Sequence, residues 1–335
     1  MNTDSIDNEQ LYKVRSVRAC IKSATDMMIT NPLTILRRTW LPTLVISFIT
    51  SLSILLPKLC FQSQPSTETT SSMIPLLAFY AISLVAFITA ATWWVAAVFS
   101  LLTGVKAKDG VRRVLYLVLA ILGLYIFLAI CIAVAYILPM LGSKASMTHP
   151  TIVSPLASLC ITAVGIIFIL PVSYSCTKYL VEPQQKLMSI IGKPYATGWR
   201  HWGFLFLTAL LGAIISAVII VVTGIPEMVL ETAKNANDMG MMMGDSNGLP
   251  SAFTFLQILI TIICYFIWYY VYCWVSFVNY YVYVSIEAKE NAKKEVATMT
   301  DNTSDDNMGI RRSRTTSERQ PRAAFTKGPE IEDIQ

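Results

Sequence analysis

Residues 252–286 read AFTFLQILITIICYFIWYYVYCWVSFVNYYVYVSI, without one Asp, Glu, Lys, Arg, Gly or Pro. A helix of roughly 20 apolar residues crosses the hydrocarbon core of a bilayer. This run is longer than that, and its lack of charge and of helix breakers predicts a spanning helix. Working back along the chain, five more apolar segments lie at about 201–226, 152–177, 114–142, 73–104 and 39–57. The chain of 335 residues is 54% hydrophobic and only 14% charged, which excludes an ordinary soluble domain. The expected fold class is all-α, a polytopic membrane protein with six transmembrane helices.

The gaps between segments fix an orientation. From the N-terminus their Lys plus Arg counts run 6, 1, 4, 1, 4, 1 and 9. Basic residues are retained on the cytoplasmic side. The alternation therefore predicts an N-in/C-in multi-pass protein of the cytoplasmic (inner) membrane, with loops near 58–72, 143–151 and 227–251 outside. The first apolar segment starts only near Trp40, so it reads as a retained anchor and not as a cleaved signal. The net charge of +5 sits in the cytoplasmic flanks. It points to anionic lipid headgroups and the bilayer as partners, and not to nucleic acid.

Three regions are expected. Residues 1–38 form a cytoplasmic N-terminal segment, 39–297 the six-helix domain with a cytoplasmic stalk, and 298–335 a disordered cytoplasmic tail poor in apolar residues. Within the first, Leu11, Val14, Val17, Ile21, Ala24 and Met28 recur at helical spacing, with Lys13, Arg15, Arg18 and Lys22 largely off that face. Such a basic amphipathic helix lies in the headgroup plane or docks on the inner face of the bundle. Asn31-Pro32 ends it. The stalk carries Glu287, Lys289, Glu290, Lys293 and Lys294.

Further along, the segment at 73–104 is too long for an upright helix and has to tilt or project. Pro171 predicts a kink in the fourth segment. Pro32, Arg38 and Trp40 share a P-x5-R-x-W pattern with Pro194, Arg200 and Trp202. A duplication would give this echo. So would the common need of an outgoing helix for a break, a basic anchor and an aromatic, which is the favoured explanation.

Nothing in the sequence marks an enzyme. His149 and His201 are the two histidines, both at segment ends. No ionisable Asp, Glu, Lys or Arg lies deep in a segment, where proton-relay chemistry needs one. HExxH, GxSxG and P-loop motifs are absent. Of the seven cysteines none forms a CxxC pair, so no zinc or redox motif is read. No catalytic, cofactor-binding or metal-binding residue is assigned and no cofactor is expected. Met239, Met241, Met242 and Met243, between Asp238 and Asp245, form a thioether cluster of the kind that binds Cu(I). Methionines packing a loop on the bundle are the preferred explanation.

The aromatic residues of the last segment, among them Tyr265, Tyr269, Tyr272, Trp274, Phe277 and Tyr283, suit an inner interfacial belt better than a ligand-stacking wall. In the fifth segment Thr208/Gly212/Ser216 and Ala209/Ala213/Ala217 make two small-residue rows, expected to serve internal packing. Arg311 to Ser317 could take phosphate or touch lipid; a solvated tail is preferred.

The basic N-terminal helix, the Asn31-Pro32 break, six helices with both ends inside and the closing Tyr283-Val-Ser285-Ile-Glu287 together resemble a loose group of uncharacterised bacterial six-helix integral membrane proteins. The chain is also distantly similar to the membrane domain of some glycerophosphoryl-diester phosphodiesterases, over about 11–290. The resemblance implies a fold and no activity, because the soluble phosphodiesterase domain is not in this sequence. The expected function is a non-enzymatic membrane scaffold or regulatory protein. The alternative is a transport component for a neutral or lipidic substrate. A dry bundle with an amphipathic collar would favour the first, and a polar, water-accessible cavity the second.

Overall fold

The computed structural model describes residues 13–61, 73–104, 107–142, 153–182, 184–244, 248–250 and 252–313. All regular structure among them is helical. The elements are α1 (Val17–Thr30), α2 (Pro32–Phe61), α3 (Met73–Thr103), α4 (Ala107–Gly142), α5 (Val153–Val181), a 3-10 turn (Leu187–Ile191), α6 (Lys193–Arg200), α7 (Trp202–Met242) and α8 (Phe253–Ser313). Among the described residues five helices are long and apolar enough to cross a membrane: the stretches Pro32–Pro57, Pro75–Thr103, Gly110–Cys131, Trp202–Met242 and Phe253–Met299. The apolar segment at 152–177 falls in α5, where Ile167–Val181 is a shorter apolar stretch. The outward face of α7 carries exposed Ile214, Val218, Val221, Val222 and Ile225. An apolar strip of that extent calls for a non-aqueous surrounding or a partner.

Local chemistry sets the boundaries. The Ser16 side chain accepts a hydrogen bond from the backbone N–H of Ala19 and caps α1. The helix ends at Asn31, and Pro32 opens α2, as the break in the sequence requires. Gly104, at φ 69°, ends α3 in a left-handed turn that other residues adopt at a cost.

Residues up to Ile286 make one compact unit. In it α2, α3, α4 and α5 pack as successive neighbours, and α5 also meets the 3-10 turn, α6 and α7. Trp274, Phe277, Val282 and Tyr283 of α8 lie in the main core with Cys20 and Ala24 of α1, Ile46 of α2, Trp94 and Val98 of α3, Tyr174 of α5 and Leu205 of α7. Trp274, Phe277 and Tyr283 are core residues, with Phe277 0% and Tyr283 1% exposed, whereas Tyr272 is 49% exposed. The bulk of the buried rings spans the gaps between neighbouring helices, which a smaller side chain would leave empty.

Residues from Glu287 make a second unit. Its helical part reaches Ser313 and includes a Glu290–Lys293 pair at 3.5 Å. The expected disordered tail thus begins with helix over 298–313, where the run from Glu287 to Thr298 lacks Gly and Pro and so gives the helix no reason to stop. Residues 314–335 lie outside the described residues, as do 1–12, which hold the first apolar position expected for α1, Leu11.

α7 also extends further than the fifth apolar segment. Helix continues through Pro226 to Met242, so Met239, Met241 and Met242 belong to its last turns and Met243 caps it. These side chains are all more than half exposed. On a helix, 239 and 242 share a face that 241 does not, so the four thioethers are not gathered in a packed loop.

Candidate functional site

Three polar arrangements join the helices. The first is a polar seam on α2. Thr39, Thr43, Ser47 and Ser51 recur every fourth residue and are all at most 1% exposed. A hydroxyl in a helix can return its proton to the carbonyl four residues back. The Thr39 hydroxyl donates to the Ile35 carbonyl at 2.7 Å, Ser47 to Thr43 at 2.6 Å, and Ser51 to Ser47 at 2.8 Å. Cross-helix bonds complete the seam. The Trp94 indole donates to the Thr43 hydroxyl at 3.1 Å, Tyr270 shares a bond with Thr39 at 3.1 Å, and Tyr269 with Thr50 at 2.9 Å. Ser53 and Ser83 are hydrogen-bonded further along. Small hydroxyl side chains let helices approach closely and then glue them. The seam was not singled out in the sequence, although its four-residue spacing is visible there.

The second arrangement attaches α1. Cys20 and Ala24 are fully buried, each 0% exposed. The Ser285 hydroxyl accepts from the Arg15 backbone N–H at 2.9 Å and lies 3.0 Å from the Arg15 carbonyl, to which it donates. The Trp274 indole donates to the Thr25 hydroxyl at 3.1 Å. The Arg15 guanidinium stacks 5.3 Å from the Tyr281 ring centroid. Of the two placements open for the basic helix, docking on the bundle is present. Burial pushes the Cys20 thiol up to about 11, against the opposing charge of Arg15. It stays protonated at neutral pH and is no nucleophile.

The third is a charged hub at the same end of α8. The Arg113 guanidinium Nη2 donates to the carbonyls of Tyr179, Glu182 and Gln185 at 2.8, 3.0 and 3.1 Å. Its carbon lies 4.5 Å from the Tyr179 ring centroid. The Tyr179 and Glu182 carbonyls close α5, whose C-terminal end attracts a cation, and the Gln185 carbonyl belongs to the connection beyond it. Glu182 accepts from the Tyr283 hydroxyl at 2.8 Å and the Gln185 amide at 2.9 Å, and pairs with Lys178 at 3.4 Å. Burial raises the Glu182 pKa. Gln185, Tyr283 and Lys178 outweigh it, so the carboxyl lies below its ordinary 4.5.

Around the hub, Pro171 continues α5 but supplies no N–H to the Ile167 carbonyl four residues back. That carbonyl accepts instead from the Trp202 indole at 3.2 Å. Tyr195 donates to the neighbouring Phe168 carbonyl at 3.4 Å, and Gly198 sits so close that a Cβ would meet the Pro171 carbonyl oxygen at 3.0 Å. The two P-x5-R-x-W copies thereby occupy different settings. Pro32, Arg38 and Trp40 lie in one continuous helix, whereas Arg200 ends α6 and Trp202 starts α7.

The small-residue rows of α7 divide. Thr208, Gly212 and Ser216 are buried, while Ala209, Ala213 and Ala217 are exposed. Among the described residues no cluster of His, Cys, Asp or Glu could hold a metal ion. Comparison with known proteins finds no matching family model, curated protein or solved structure.

Proposed function

We propose that the chain is a non-enzymatic multi-pass protein of the cytoplasmic membrane that acts as a scaffold or regulator, with six spans and both termini inside. The observation that carries this reading is the seam on α2. Its hydroxyls are engaged by their own backbone and, at Thr43 and Thr39, by Trp94 and Tyr270, while the adjacent Thr50 binds Tyr269. A hydrophilic solute would have to compete with bonds already made. The docked basic helix supports a fixed collar at the cytoplasmic face, where Arg18 and Lys22 are exposed to meet anionic lipid. The contact of residues 15, 113, 182 and 283–285 supports the alternation of charge, which puts those four segments on one side.

The test is water access to the seam. Cysteine placed at Thr43 or Ser47, in a chain lacking native Cys, should resist a small water-soluble thiol reagent in native membranes and react after denaturation. The purified protein in liposomes should leave an imposed pH gradient intact, with or without neutral solutes. Rapid native-state labelling at Ser47, or solute-dependent flux lost with the protein, would establish transport instead.

A further inference from the structure

Between α4 and α5 runs a mainly apolar groove, with Cys176, Met188 and Tyr195 the only heteroatom-bearing side chains in the wall of its first part, and with Ser173, Thr177, Ser276 and Asn279 added in the second. One cavity of about 460 Å³ is lined by Leu117, Ile121 and Leu124 of α4, Phe168 and Val172 of α5, and the underside of the 3-10 turn. A second, of about 290 Å³, shares Leu117, Ile121, Leu124 and Val172 and continues toward Ser276 and Asn279 of α8. Each is of the order that takes a small ligand or part of a larger one, where sites run roughly 300–1,000 Å³. The apolar part of this slot suits hydrocarbon.

The turn that closes one side of the first cavity has charged neighbours in the chain. The 3-10 turn Leu187–Ile191 is bracketed by Lys186 and Lys193, both exposed. Among the described residues neither lysine has an ion pair. Between them Met188 is 84% and Ile191 79% exposed, while Ile190 is tucked in at 8%. The turn is held firmly. Arg113 grips the Gln185 carbonyl, the Ser189 hydroxyl donates to the Gln185 side chain at 3.0 Å, and α6 is pressed on Pro171 through Gly198. Two apolar tips between two cations match the boundary where acyl chains meet anionic headgroups.

We propose that this groove is a binding site for an anionic phospholipid of the surrounding leaflet. One acyl chain lies along Leu117, Ile121 and Val172, and the phosphate sits at Lys186 and Lys193. Met188 and Ile191 enter the acyl layer beside it. The proposal rests on the membrane reading above and adds a defined lipid position to it. Neutral apolar peptide or a second copy of the chain would fit the slot but not the paired lysines.

The test uses the full chain in nanodiscs of phosphatidylcholine doped with phosphatidylglycerol that carries a photoreactive acyl chain. Crosslinked peptides should concentrate on 117–124 and 168–172. Unlabelled phosphatidylglycerol should displace them, and phosphatidylcholine should not. K186Q/K193Q should weaken retention about 30-fold, from two lost surface cations. A120W, at an exposed position in the wall, should abolish the crosslinks while the fold, read by circular dichroism, stays intact. Crosslinks spread evenly round the bundle, equal competition by both lipids, or a protein–protein crosslink covering the groove would each overturn the site while leaving the protein in the membrane. Failure to enter nanodiscs at all would reject the membrane reading, and the site with it.

Discussion

Replacing Arg113 by Met would test whether the hub holds the 182–200 segment in place. Methionine keeps an apolar stem against the Tyr179 ring and removes the charge and the donors. In the native protein one nitrogen, with two N–H groups, serves three carbonyls at 2.8, 3.0 and 3.1 Å. Hydrogen bonds to a charged group contribute about 1.5–3 kcal/mol each, and two N–H groups limit the count to about two full bonds. Loss of the cation–π contact with Tyr179 adds roughly 0.5–1 kcal/mol. The site is only half-buried, so water can replace part of what is lost. The expected destabilisation is therefore about 3 kcal/mol, near the lower bound of the sum. At about 2 °C per kcal/mol for a chain of this size, the midpoint of thermal unfolding should fall by about 6 °C. Arg113→Lys should lose about half as much, because an ammonium cannot reproduce the planar fork. The assay is tryptophan fluorescence during heating in detergent, together with proteolysis between 182 and 193, which should accelerate in step. A Met variant within about 1 °C of the unaltered protein would refute the argument, as would Lys and Met variants that behave alike.

The Glu182 carboxylate supplies a pH dependence. Its folded pKa lies below the ordinary 4.5, so its stabilising contribution is complete above that value and is lost as pH falls below 4.5 through the folded pKa. Glu182→Gln should flatten that part of the stability–pH profile, and an unchanged slope would count against the pairing. Gly198→Ala would drive a methyl into the Pro171 backbone, with oxygen at 3.0 Å and Cα at 3.2 Å. It should cost about 1–3 kcal/mol and speed amide exchange in α6; exchange at the native rate would mean the contact yields freely. For topology, cysteine at Asn247 should label with an impermeant reagent in intact cells, and cysteine at Ala107 only after permeabilisation. Labelling of Ala107 in intact cells would reverse the assigned orientation.

Much of the architecture was readable in the sequence. Hydrocarbon imposes a length and excludes charge, so the apolar segments and the Asn31-Pro32 break predicted helices that the fold contains. Helix ends were harder to read where no breaker follows an apolar segment. α7 runs on to Met242 and α8 to Ser313, since backbone hydrogen bonding does not stop where hydrophobicity does. The burial of Trp274, Phe277 and Tyr283 and the exposure of the methionines were not legible either, because burial belongs to the neighbours a residue meets.

The sequence by itself determined that this chain is a set of apolar helices separated by gaps of alternating basic charge, because both properties are local and additive along the chain. Only the tertiary structure decided that Arg113 closes α5, that Trp202 takes the carbonyl left by Pro171, that Ser285 anchors Arg15, and that the turn between Lys186 and Lys193 lines an apolar groove. Each of these joins groups from different elements or folds a turn back on a helix. Directional bonds form only where packing has brought donor and acceptor within about 3 Å, and no spacing along one segment encodes that distance.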